Sequence, residues 1–305
     1  MASASRTDTA ARRTGRGAPP PSRLDAVLGN LARERATGAL RVGRAGTIYI
    51  TGGRITYAES VHVPGVEDLL TASGRVAAAV VTEVRRAAAA DGGETLVRQG
   101  TLTRGELQFC VLGATLDAAF SLHEVTGARP RFREGDRHWL GPQWYFDVAG
   151  LSRECRRRRL RLDHAWPSPA LDTRPVVPAP RVTADRVVLT AVQWEVIVHA
   201  DATATPADLA RRLGRPVYPL LLAVRQLAAA GLLVPPAPAN GTPGGPPPAD
   251  PPAPGGAAAA DGASGELPRR EKGASRPAGA PPAHSADGTD VGVLIRLRDA
   301  LERLL

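Results

Sequence analysis

Cysteine, lysine, methionine and aromatic residues are all scarce in this 305-residue chain. It has two cysteines, Cys110 and Cys155, one lysine, Lys272, and aromatics at only 4%. Two cysteines without a C-x-x-C spacing exclude a disulfide framework and a cysteine-based zinc cluster. Both fall at apolar-face positions of helical patterns, so they read as reduced core residues of a cytoplasmic protein. The histidines, His62, His123, His138, His164, His199 and His284, are no more suggestive. None stands at metal-ligand spacing from another His or Cys, and His123 lacks the second histidine of a zincin helix. His199, at a helix end beside Asp201, suits a charge-compensated or exposed role. The Gly43–Gly46 turn has neither the Gly-Lys of a phosphate loop nor a dinucleotide fingerprint. No Ser or Cys lies in a recognisable nucleophile context. No run reaches the ~18 apolar residues of a membrane span, and residues 1–21 lack the apolar stretch of a signal peptide. These absences imply no enzyme, no cofactor, no metal and no membrane.

What is abundant is arginine, proline and glycine. Arginine supplies all the basic residues but Lys272, and the net charge is +9. A near-total preference for arginine is explained most simply by GC-rich coding. The charge invites a nucleic-acid reading, which depends on where the arginines sit. Proline and glycine concentrate between Pro235 and Asp290, where no apolar periodicity remains to bury, as in a disordered linker.

From Leu24 to Glu59 the chain reads as an amphipathic helix followed by three short strands. Leu24, Val27, Leu28 and Leu31 share one helical face. Leu40 and Val42, Ile48 and Ile50, then Ile55 and Tyr57 alternate as half-buried strands do. Gly52-Gly53 supplies the positive φ that a tight hairpin needs. The segment resembles the PATAN (PatA N-terminal-like) domain of bacterial regulatory proteins. The resemblance rests on Arg35, Thr37, Gly38 and Leu40 leading into the first strand, then Gly46, Ile48, Tyr49, Ile50, Gly53, Ile55 and Ala58 in the hairpin. Gly65, Glu67, Leu69 and Leu70 fit the next helix, with Asp68 where the family usually has Ala. Leu96–Gly135 looks like the helical insert and closing hairpin. The resemblance implies an α+β fold, a small antiparallel meander packed with helices. It implies signalling and protein contacts, and no active site. Trp139, Trp144, Tyr145 and Phe146 are expected to close that core against the next helix.

Residues 183–235 read as a short strand (Val187, Val188, Leu189) and three helices. Thr190 with Gln193 makes a capping box. Thr205, Pro206 and Asp208 start a second helix, closed by Gly214. A third runs from about Val217 to Ala230. The order resembles a winged helix-turn-helix. Its third helix nevertheless opens Val217-Tyr218-Pro219-Leu220-Leu221-Leu222, where a groove-reading helix needs Arg, Lys, Asn, Gln or Ser. Arg211, Arg212, Arg215 and Arg225 are the candidate phosphate contacts of this unit. Protein contacts fit it better than DNA.

Asp147–Asp163 bridges the two units as a helix with four consecutive arginines, Arg156 to Arg159. At about 100° each they fan around the axis. The reading is a solvated helix whose apolar seam breaks at Arg158 or Arg159, with Arg156 and Arg157 as further candidate phosphate contacts. At the end, Val291–Leu305 places Leu294, Leu297, Leu301 and Leu304 at three-and-four spacing, a candidate docking stripe for a partner, for a second copy or for the chain itself. The expected organisation is therefore a basic tail (1–21), a PATAN-like domain (22–146), an Arg-rich bridging helix (147–164), a winged-helix-like module (183–235), a disordered linker (236–290) and an amphipathic helix (291–305). The expected function is that of a regulatory adaptor acting through protein contacts or self-association. The alternative is a DNA-binding transcriptional regulator.

Overall fold

A computed structural model describes residues 23–72, 74–182 and 186–235. The expectations for 1–21 and 236–305, including Leu294, Leu297, Leu301 and Leu304, lie outside the described residues. The fold is α+β, with a four-stranded antiparallel sheet. Helix α1 (Arg23–Arg33) buries Leu24, Leu28 and Leu31, with Val27 half-buried beside them. Strands β1 (Gly38–Val42), β2 (Gly46–Thr51) and β3 (Arg54–Ser60) follow as a meander. Leu40 pairs with Ile48 and Ile48 with Ala58, which puts one apolar row across the core face. The turn between β2 and β3 depends on Gly53, whose φ is +81° and where a Cβ would lie 2.5 Å from the Ala32 carbonyl oxygen. Any side chain there would push the hairpin off the end of α1.

Three short helices come next, α2 (Val66–Ala72), α3 (Ala78–Ala87) and α4 (Gly92–Arg98), and then the 20-residue α5 (Arg104–His123). Thr103 and Glu106 cap α5 reciprocally, which satisfies two of its free N–H groups. α5 is buried on nearly every side because it serves two cores. Leu112, Leu116, Ala119 and Phe120 pack with α1 and the inner sheet face. Leu107, Val111 and Ala114 pack with Tyr57, α2, α3 and α4. After α5, strand β4 (Pro130–Glu134) pairs with β1, giving the order β3-β2-β1-β4. The expected closing hairpin is thus a single strand added at the β1 edge. At the other edge Ile55 and Phe146 exchange backbone hydrogen bonds of 3.0 and 2.7 Å.

The aromatic cluster is divided rather than pooled. Trp139 is buried in the α2–α4 core and Phe146 in the sheet core. Trp144 donates to the Gln108 carbonyl, and Tyr145 stays exposed with Arg54 over its ring.

Helix α6 (Val148–Ala165), capped by Asp147, packs against α1 and α5. It also packs against α9 and has one solvated face, with Arg153, Arg156, Leu160 and Arg161 exposed. Its buried seam of Leu151, Ser152, Glu154, Cys155, Arg158 and Leu162 nevertheless runs through Arg158 and is not broken there. A 3-10 turn (Pro169–Asp172) precedes an irregular stretch, and Val187–Leu189 forms no strand. Among the described residues no strand pairs with this run. Helices α7 (Ala191–His199), α8 (Pro206–Leu213) and α9 (Val217–Ala229) complete the described chain. Thr190/Gln193 and Thr205/Asp208 form the two capping boxes read from the sequence, and Gly214 ends α8 in the left-handed conformation. Leu233 bridges to Pro178, so the final extended segment pairs with 177–179.

Candidate functional site

The arginines nominated for phosphate are mostly held by the protein's own carboxylates. Arg212 is 2.8 Å from Asp201, and Arg215 is 2.6 Å from Glu195. Arg211 donates to the Val61 carbonyl and lies 3.5 Å from Asp208. Arg157 donates to Glu154 at 2.7 Å, while Arg156 is exposed. Arg225 corrects the sequence reading outright. It is 0% exposed, bidentate on Asp172 at 2.8 and 2.6 Å, and its remaining nitrogen reaches Asp163 and the Trp166 carbonyl. A guanidinium buried and neutralised in this way pins α9 to α6 and the 3-10 turn. It is not available to a phosphate.

A second buried arginine joins the two halves of the fold. Arg158 on α6 donates to Asp117 of α5 at 2.6 Å and to Glu154 at 3.1 Å, with its guanidinium 4.3 Å from the centre of the Tyr218 ring. The other Asp117 oxygen accepts the backbone N–H groups of Val217 and Tyr218. Those are first-turn donors of α9, which no intrahelical carbonyl can satisfy. A carboxylate there also complements the positive end of the helix dipole. Burial opposes the charge on Arg158, but Asp117 and Glu154 outweigh it and hold the guanidinium protonated. Sequence reading missed Asp117. Its one available signal was a lone carboxylate inside an apolar helix, which demands a buried partner.

A third link ties α1 to α5 and α6. His123 lies 3.2 Å from Asp25, with its other ring nitrogen 2.7 Å from the Ala119 carbonyl. Ser152 donates to the same Asp25 oxygen. Burial disfavours the imidazolium, yet hydrogen bonds to Asp25 and Cys155 more than offset this and push His123 up to about 10.

The outer sheet face opens into a cleft of about 630 Å³ between β1–β3, the loop before α2, and Arg211 of α8. His138 is stacked on Tyr57 at 4.0 Å and lies edge-on to Tyr49 at 5.1 Å. Burial, assisted by Arg85, pushes His138 down to about 3, so its imidazole is neutral at neutral pH. Tyr49 donates to Glu59 at 3.0 Å. Burial raises both tyrosines and keeps the phenols protonated. Arg85 is tied to Glu67 at 2.9 Å. Arg41 and Arg44 stand exposed at the rim. This lining offers hydrogen bonds and charge of both signs. Among the described residues no cluster of His, Cys, Asp or Glu could hold a metal ion, and no helix is long and apolar enough to cross a membrane.

Exposed large apolar side chains are most frequent in sequence between Val182 and Val234, the stretch that contains α7. Val182, Val187, Val188, Trp194, Val198 and Val234 belong to this part of the chain, against Val61, Phe109, Tyr145 and Leu160 scattered over the rest. In comparisons with protein-family models, curated proteins and solved structures, nothing matches this chain.

Proposed function

We propose that the chain is a non-enzymatic, cytoplasmic regulatory protein acting through protein contacts, an adaptor with a PATAN-like domain and a winged-helix-like module. The burial of α9 carries this reading. This helix stands where a winged helix-turn-helix has its recognition helix, and such a helix must present a free N-terminal half to the major groove. Here Val217, Tyr218, Leu220 and Leu221 are buried, and the first N–H groups of α9 are spent on Asp117. Exposed apolar surface around Trp194 adds support, because such surface marks contact sites on soluble proteins. The DNA-binding alternative draws on the +9 charge and on Arg156, Arg211 and Arg212 at the surface. The test combines two measurements. Affinity purification with nuclease should retain protein partners, and fluorescence anisotropy should detect no salt-dependent binding to duplex DNA. Duplex binding that falls steeply with salt and disappears in Arg211→Ala/Arg212→Ala would overturn the adaptor reading in favour of the regulator.

A further inference from the structure

Helix α7 has the sequence AVQWEVIVH, apolar around most of its circumference, yet Val196 is its only buried residue. Gln193 faces α9, where it donates to Gln226 at 3.0 Å. Ala191, Trp194 and Val198 occupy the opposite side at i, i+3 and i+7, and so form one stripe. Trp194 is 59% exposed and Val198 54%, with Val188 at 80% just before the helix. A half-exposed tryptophan alone leaves on the order of 100 Å² of surface in water. Glu195 borders the stripe and is held by Arg215, so the stripe itself carries no charge to be desolvated.

The chain carries a segment of matching chemistry. In Val291–Leu305 the residues Leu294, Leu297, Leu301 and Leu304 would make one apolar stripe if helical, with Arg296, Arg298, Asp299, Glu302 and Arg303 mostly off it. A 15-residue segment is marginal as a helix alone and gains by docking. Its tether begins at Pro235, after Val234, whose N–H bonds the Val177 carbonyl, and thus on the unit that contains α7. A Pro-, Gly- and Ala-rich stretch the length of 236–290 has an expected r.m.s. span of roughly 40 Å, enough to reach any face of that unit. We propose that Val291–Leu305 docks in cis as an amphipathic helix on the Ala191–Trp194–Val198 face of α7. Intramolecular docking is favoured over a second copy by concentration. A tether of this kind holds its segment at an effective concentration approaching the millimolar range, about a thousandfold above a micromolar solution of free chains.

This deepens the adaptor reading by naming what covers the contact surface when no partner does. The test uses the full chain. Acrylamide quenching of tryptophan fluorescence is compared between the parent and the Leu297→Asp/Leu301→Asp variant, each with and without Trp194→Phe. Quenching should rise about twofold or more in the tail variant, and the rise should vanish in the Trp194→Phe background. A synthetic Val291–Leu305 peptide should restore protection to the tail variant saturably, and a peptide with the same two aspartates should not. Equal quenching in parent and tail variant would overturn the docking. So would protection that grows with protein concentration alongside a dimer mass in light scattering, which would assign the face to a second copy. If nuclease-resistant partners persist while protection is absent, the docking fails and the adaptor reading stands.

Discussion

Helices α5 and α7 are both apolar on nearly all sides, and they end in opposite surroundings. α5 buries twelve of its twenty residues, including a carboxylate, whereas α7 buries Val196 alone. The difference is one of neighbours. α5 lies between the sheet, α2, α4 and α6, which cover most of it and leave Phe109 exposed. α7 has α9 on one side and, among the described residues, little on the other. An apolar circumference therefore states a demand for burial without saying which segment meets it.

Breaking the α5 side should have the largest effect. Arg158→Ala leaves Asp117 buried without its cation and should cost about 3–5 kcal/mol, read by urea denaturation. Asp117→Asn/Arg158→Met should recover part of that loss, since the Asp117–Arg158 charge pair leaves together while an amide oxygen still accepts from Val217 and Tyr218. Asp117→Leu/Arg158→Met should recover less, because those N–H groups are then orphaned. Leu116→Ala, a plain cavity in the same helix, should cost about 3 kcal/mol. His123 should give a smaller effect, because its pair with Asp25 is 11% and 14% exposed against 1% and 1% for Arg158 and Asp117. Its pKa is raised on folding, from 6.5 to about 10. That contribution is complete below pH 6.5 and is lost as pH rises towards 10. The urea midpoint should fall across this window, and His123→Gln should flatten the slope. The smallest effect belongs to α7. In the Leu297→Asp/Leu301→Asp background, Trp194→Ala should change stability by no more than about 0.5 kcal/mol. A loss as large as that of Leu116→Ala would mean that α7 is covered after all.

Local chemistry was the legible part of this fold. The capping boxes of α7 and α8, Gly214 and the Gly52-Gly53 hairpin each depend on residues a few positions apart. The capping box at Thr103 and Glu106 carries the same local signature. Contacts between distant segments left weaker traces. The α6 seam reads from sequence as broken at Arg158 or Arg159, because the partner that lets Arg158 join it, Asp117, lies 41 residues upstream. Arg225 reads from sequence as a late arginine in an apolar helix and a candidate phosphate contact, because Asp163 and Asp172 reach it only once the chain has turned back on itself. Val187–Leu189 shows the converse error. High β propensity makes no strand where no second strand runs alongside. The cleft was equally hidden, since His138 and Tyr57 meet from segments far apart in sequence.

Asp117 spends one oxygen on Arg158 and the other on the first turn of α9. Neither half of the chain contains a complete set of partners for its own buried polar groups. Thermal melting should therefore be a single cooperative transition, with no stage at which the three-helix unit has melted and the sheet survives. A protease cut in the irregular stretch between the 3-10 turn and α7 should not release two working pieces. The fragments should stay associated and elute together, as a protein severed in its covalent chain and whole in its fold.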